Sequence, residues 1–258
     1  MRTATTIAIG LLISVSLVHA QDPAALIDEA LAAHGGEAAL GQWANQHVSG
    51  SMTFNFGTGS ISGTMEMYVR EATMIRNEAM MEFGGSKQQF ASACTGKSAW
   101  QQMGSRVYDL PPDDFVTSLR HQPNILLRAA AEGAELSYAG ALELDGEPVE
   151  AIDFKEEAGT TRILLDKENG WVRALEYKAM SNQGMGQKEE VFFKTVWSDY
   201  REVGGVPFPH TTKDYRDGVE RMTVNVESVV LDETPAIELF ARPEAEDEAK
   251  EWSDQIAS

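Results

Sequence analysis

"SMTFNFGTGSISGTMEMYVR", residues 51–70, decides the fold. Its apolar side chains recur at every second position. Met52, Phe54 and Phe56 alternate with Thr53 and Asn55. After Gly57-Thr58-Gly59, the alternation resumes: Ile61, Gly63, Met65, Met67 and Val69 against Ser62, Thr64, Glu66, Tyr68 and Arg70. A period of two places successive side chains on opposite faces of a strand, and a Gly-rich break between two such runs is turn chemistry. The stretch therefore reads as a β-hairpin. Glu66 and Arg70 are costly to bury unpaired, so their face meets water and the methionine face points inward.

The same period extends outward. Strands are expected at about residues 73–83, 87–94, 99–103, 106–110, 136–144, 149–155, 161–165, 172–179, 188–199, 208–216 and 220–231. Turn residues separate them: Gly84-Gly85, Asp145-Gly146, "DKENG" at 166–170, Gly204-Gly205 and Asp217-Gly218. Helical spacing appears in two places only. Leu26, Ile27, Ala30 and Leu31 form one stripe behind an Asp22 N-cap with Pro23 after it, and Gly35-Gly36 ends that helix. A short helix follows at 37–43, and two more are expected at 112–120 and 124–132. Most successive strands have no helix between them, which suits an antiparallel meander and not βαβ units. The expected fold is mainly β (α+β): a single, strongly curved antiparallel sheet with a small helical layer, and helix 22–33 lying against its concave side.

Three pieces make up the 258 residues. Arg2, the apolar run from Ile7 to Val18 and the small-x-small site Val18-His19-Ala20 read as a signal peptide, residues 1–20. One domain fills 21–243, and an acidic tail occupies 244–258. Export places the protein in the periplasm. A mature chain that starts with an amphipathic helix and ends in charge argues against a membrane barrel, so no stable membrane insertion is expected. Forty acidic against 21 basic residues give a net charge of −19, which disfavours nucleic acid and anionic membranes. The lone Cys94 reads as a buried, inert thiol in a chain expected to be monomeric.

Catalytic patterns are missing. The histidines show no metal spacing, and there is neither a nucleophile elbow nor a phosphate loop. The acidic doublets Asp113-Asp114, Glu156-Glu157 and Glu189-Glu190 point apart on a strand or helix and read as solvated charge. His210 in "SDYREVGGVPFPH" follows a Gly-Gly reversal and two prolines, so this stretch reads as the corner between two strands. No enzyme activity, cofactor or metal is expected. The stronger signal is methionine: six of the eleven fall between residues 52 and 81. Met is flexible and polarizable and suits a surface that must fit varied apolar shapes, though it also serves in ordinary core.

The segments "HGGEAALGQW" (34–43), "VSGSMTF" (48–54), "TGKSAWQQ" (95–102), "WSDYREVGGVPFPH" (197–210) and "VVLDETPAIELFARP" (229–243) together resemble the periplasmic outer-membrane lipoprotein-sorting proteins, the LolA/LolB-like superfamily. The resemblance covers residues 22–243. It implies a half-open barrel closed by helices, with an apolar cavity for the acyl chains of a lipid or lipoprotein. Met52, Phe54, Phe56, Met65, Met67, Val69 and Met81, with Leu26 and Leu31 from the first helix, are the expected lining. The alternative is a non-catalytic periplasmic adaptor whose groove receives an envelope protein partner.

Overall fold

The computed structural model describes residues 21–182 and 188–244. The expected signal peptide, and the expected acidic tail beyond Glu244, lie outside the described residues.

All strands among the described residues join one antiparallel sheet of thirteen. Six come from the first half of the chain: β1 (Gln46–Phe56), β2 (Gly59–Arg70), β3 (Met74–Phe83), β4 (Ser86–Cys94), β5 (Ala99–Met103) and β6 (Arg106–Leu110). Seven come from the second: β7 (Glu135–Leu144), β8 (Glu147–Glu156), β9 (Gly159–Asp166), β10 (Val172–Asn182), β11 (Lys188–Val203), β12 (Val206–Arg216) and β13 (Val219–Leu231). The spatial order is β6-β5-β4-β3-β2-β1-β13-β12-β11-β10-β9-β8-β7. Two meanders thus meet at one seam, where β1 pairs with β13 from Gln46↔Leu231 to Phe54↔Met222. The sheet is curved and not closed.

Local chemistry explains the corners. Gly204 and Gly205 both have positive φ, as do Asp217 and Gly218, so each pair supplies the two left-handed residues of a tight hairpin turn. Pro207 and Pro209 pair with Glu202 and Tyr200 of β11, whereas the ladder to β13 starts only at Thr211. The prolines therefore sit where one side of the strand needs no amide donor. His210 is buried beside them, with Nδ1 3.0 Å from the Phe208 carbonyl oxygen. The stretch is a corner. At the seam the register shifts between Ser49 and Gly50, and a Cβ on Gly50 would lie 2.1 Å from the Asn225 carbonyl oxygen. Only glycine allows β1 and β13 to approach this closely.

The helices are α1 (Pro23–Ala33), α2 (Gly36–Gly41), α3 (Asp113–Arg120) and α4 (Leu126–Ala129), with single 3-10 turns at Gln42–Ala44, Pro123–Ile125 and Ile237–Phe240. Asp22 caps α1, accepting the Ala24 amide at 3.0 Å. The helix expected at 124–132 is shorter. It stops at Ala129 because the chain must turn through Gly133, at φ +82°, into β7. Ile27 and Ala30 of α1 and Leu126 and Ala129 of α4 are fully buried in one cluster with Ile152, Phe154, Ile163, Leu165, Val172 and Leu175. These helices thus fill the concave side of the β8–β10 arm.

Helix α3 has a different job. Phe115, Val116 and Leu119 pack on Val69, Ile75, Cys94 and Ala99 of the first arm. On the second arm, Asp113 pairs with Lys188 at 2.7 Å and Arg120 with Glu156 at 3.1 Å. α3 is a strut between the two arms. Cys94 is buried beneath it, and burial pushes its thiol pKa up.

After β13 the chain crosses the convex face as a strap. Arg70 Nη1 donates to the Pro235 carbonyl at 2.7 Å, Arg76 Nη1 to that of Leu239 at 2.7 Å, and Trp100 Nε1 to that of Phe240 at 3.2 Å. Arg242 closes the strap on Asp109 at 2.9 Å.

Candidate functional site: an apolar cavity on the concave face

Alternation along β1, β2 and β3 sends Met52, Phe54, Met65, Met67, Ala79 and Met81 to the concave side. α1 and α4 do not reach them there. The space left is a cavity of about 550 Å³, within the range of small-molecule sites. Its walls come from β1–β5, β12 and β13, with Trp43 ahead of β1, Trp197 of β11 and Ser118 of α3. The rings of Trp43 and Phe208 stack at 4.6 Å and close one end. At the other end lie the hairpin tips, where Phe56 is 52% exposed and Phe83 38%.

Six of the nine expected residues line this space: Met52, Phe54, Phe56, Met65, Met67 and Met81. The other three do not. Val69 lies on the same face as Met67 but at the strand's end, where α3 covers it. Leu26 and Leu31 pack against the buried core on the α1 side, because that helix lies over the other arm. Further lining comes from Phe83, Phe90, Met222, Val224, Val226, Trp197, Phe208 and Trp43. Alternation within 73–83 and 220–231 carries the signal for Phe83 and for Met222, Val224 and Val226. Nothing local marks Trp43 or Trp197.

The polar lining is sparse and ordered. Asn77 of β3 stands opposite Ser92 of β4, and Ser92 opposite Gln101 of β5. All three line the cavity, as do Ser118 of α3 and Gln122 just beyond it. On the facing wall is Asp214, whose Oδ1 accepts the Thr195 hydroxyl at 2.6 Å. Burial pushes the Asp214 carboxyl above the usual range, against the Thr195 hydrogen bond and the positive field of Arg216.

Beside the cavity, His121 ties the end of α3 to the second arm. Its Nδ1 is 2.7 Å from the Thr117 carbonyl oxygen, its Nε2 is 3.0 Å from Thr161 Oγ1, and its ring stacks on Tyr177 at 3.5 Å. Burial lowers its pKa to about 4, and the nearby Arg128 and Arg120 act in the same direction. Among the described residues, no three His, Cys, Asp or Glu side chains are grouped to hold a metal ion, and no helix is long and apolar enough to cross a membrane.

No family model matches the sequence, and no curated protein does. Solved structures do match in shape. A Vibrio parahaemolyticus domain described as an outer membrane lipoprotein-sorting protein aligns over 84% of this chain and 95% of its own, with TM-score 0.50 and 10% identity. A LolA superfamily protein from Nitrosomonas europaea aligns over 86% of this chain and 99% of its own, with TM-score 0.52 and 10% identity. A DUF1329 family protein from Desulfovibrio piger covers 86% and 98%, with TM-score 0.54 and 9% identity. What is shared at such identities is the fold.

Proposed function

Starting from the fold it shares with outer-membrane lipoprotein-sorting proteins of the LolA superfamily, we propose that this protein is a non-catalytic periplasmic carrier. It holds the acyl chains of a lipid or lipoprotein in the concave cavity of its 21–243 domain, after loss of residues 1–20. The observation that carries this reading is the cavity itself: about 550 Å³, with five methionines and five phenylalanines in its lining and not filled by the described helices α1 and α4. Methionines adapt to chains of differing length and unsaturation without a rigid fit. Removing such chains from water supplies about 0.8 kcal/mol per methylene, enough to retain a long acyl chain reversibly.

The test is titration of a fluorescent monoacylglycerol into the purified protein, with native mass spectrometry of protein taken from the periplasm. Saturable one-to-one binding and a co-purifying acyl mass are the expected results. An acyl probe that fails to bind, with no lipid mass retained, overturns the reading.

A further inference from the structure

We infer that the cavity, on the reading of it as an acyl-chain site, selects ligands whose polar group is uncharged and hydrogen-bonding (an ester, an amide or a glyceryl hydroxyl). Ligands that would bring an ionised carboxylate or phosphate into it are rejected.

The first ground is what the walls do not offer an anion. No Lys, Arg or His is among the described lining residues. The nearest basic side chains are engaged elsewhere. Arg70 and Arg76 are turned to the convex face and held by the strap carbonyls of Pro235 and Leu239. Arg120 and Arg128 converge on Glu156. Lys188 is paired with Asp113, and Arg216 lies over the Phe193 ring, 5.3 Å from its centroid. Two acidic residues are among the lining: Glu78, whose carboxylate is held by Arg76 at 2.6 Å, and Asp214, which accepts the Thr195 hydroxyl. An anion entering here would lose its hydration and gain no counter-charge from the lining residues.

The second ground is what the walls do offer. Asn77, Ser92 and Gln101 form a row in register across three neighbouring strands, and none of these side chains makes a hydrogen bond within the protein among the described residues. At the same end of the strands, Trp43 Nε1 and Gln46 Oε1 are buried without partners, one a donor and one an acceptor. Primary amides, a hydroxyl and an indole N–H match an ester or amide carbonyl, which accepts hydrogen bonds, and a hydroxyl, which both gives and takes them, without net charge. This row lies near the α3 end of the cavity. From Asn77 along β3 to Phe83 at the tip is roughly 20 Å of extended strand, room for a long acyl chain between the polar row and the rim.

The test compares ligands of one chain length below their micelle concentrations: a monoacylglycerol, an N-acyl ethanolamide, the free fatty acid and the lysophosphatidic acid. Titrations run at pH 7.5 in low salt and again in 0.5 M salt, because a protein of net charge −19 repels anions at long range and salt screens that repulsion. The expected result is that both neutral ligands bind about tenfold or more tightly than both anions, and that the ratio survives high salt. Gln101→Lys, which adds a cation without touching the Thr195–Asp214 pair, should raise fatty-acid affinity by about tenfold. Equal binding of neutral and anionic ligands, or a preference that vanishes with salt, overturns this inference and leaves the acyl-chain reading standing. Failure of every acyl ligand to bind removes both.

Discussion

The two arms of the sheet solve the same problem in opposite ways. Each curls and so presents a concave apolar face that something must cover. On the β8–β10 arm the cover is the chain itself, and the residues are stiff and aliphatic: Ile152, Ile163, Leu165, Val172 and Leu175 under Ile27, Leu126 and Ala129. On the β1–β4 arm much of the face has no cover among the described residues, and beside Val48, Ile61 and Ile75 it carries Met52, Met65, Met67, Met81, Phe54 and Phe90. β-branched side chains have few rotamers and suit a fixed partner, whereas methionine suits a changing one. The residue types on a concave face thus report whether its partner belongs to the molecule.

The sharpest way to break this contrast is to remove volume from the covered arm. Leu126→Ala deletes a fully buried side chain and should cost about 2–5 kcal/mol in urea denaturation. A cost under about 1 kcal/mol would mean that the α4 cover is not core.

Acid is the next lever, because it acts where α3 meets the covered arm. His121 has a folded pKa of about 4 against about 6.5 when unfolded, so the unfolded chain takes up the proton first. Its contribution is complete above about pH 6.5, is lost as pH falls towards 4, and does not change further below that. His34, also lowered by burial, acts in the same direction. For His121 the loss is on the order of 2 kcal/mol once screening at a half-buried site is allowed for. Urea midpoints measured from pH 7.5 to 4 should show the decline, and His121→Gln should flatten it. An unchanged slope in the variant would locate the acid sensitivity elsewhere.

Trp100→Phe keeps an aromatic ring but removes the hydrogen bond to the strap together with some buried volume, at a cost of about 1–2 kcal/mol. Hydrogen exchange should rise on β3–β5 and stay unchanged on β8–β10. A rise shared by both arms would show that the strap serves the whole sheet.

Met67→Gln should have the smallest effect on stability and the largest on uptake. At a cavity wall the new amide meets space, so the melting curve should hardly move while acyl binding weakens. A loss of about 1–3 kcal/mol would instead show that this face is closed core.

Much of this contrast can be read from single strands, because a period of two needs no knowledge of the partner. It places Met65 and Met67 opposite Glu66 and Tyr68 without ambiguity, and residues 99–103 and 106–110 appear as strands with those bounds. What lies above each position is not local. Val69 shares the face of Met67, yet Phe115, Val116 and Leu119 of the strut α3 pack over it. The stripe on α1 shows that Leu26 and Leu31 turn inward, not which arm they meet. The row Asn77, Ser92 and Gln101 is three unrelated polar residues until the register aligns them. The pairing of β1 with β13 leaves no mark in either strand apart from Gly50, whose reason appears only once Asn225 stands against it.

The seam also imposes a schedule. Apart from the β1–β13 seam, strands β1–β6 pair only with sequence neighbours, and so do β7–β13, so each meander can form from local contacts soon after it is made. Joining them requires residues as far apart as Gln46 and Leu231 to meet, a long and slow loop closure. The cavity straddles that closure, with Met52 on one side and Val224 on the other. A nascent chain therefore has no vessel to fill until nearly its whole length has been delivered. Before then, its methionine-rich face stands open as the surface on which an unfinished chain is most prone to stick, to its neighbours or to whatever guards it in transit.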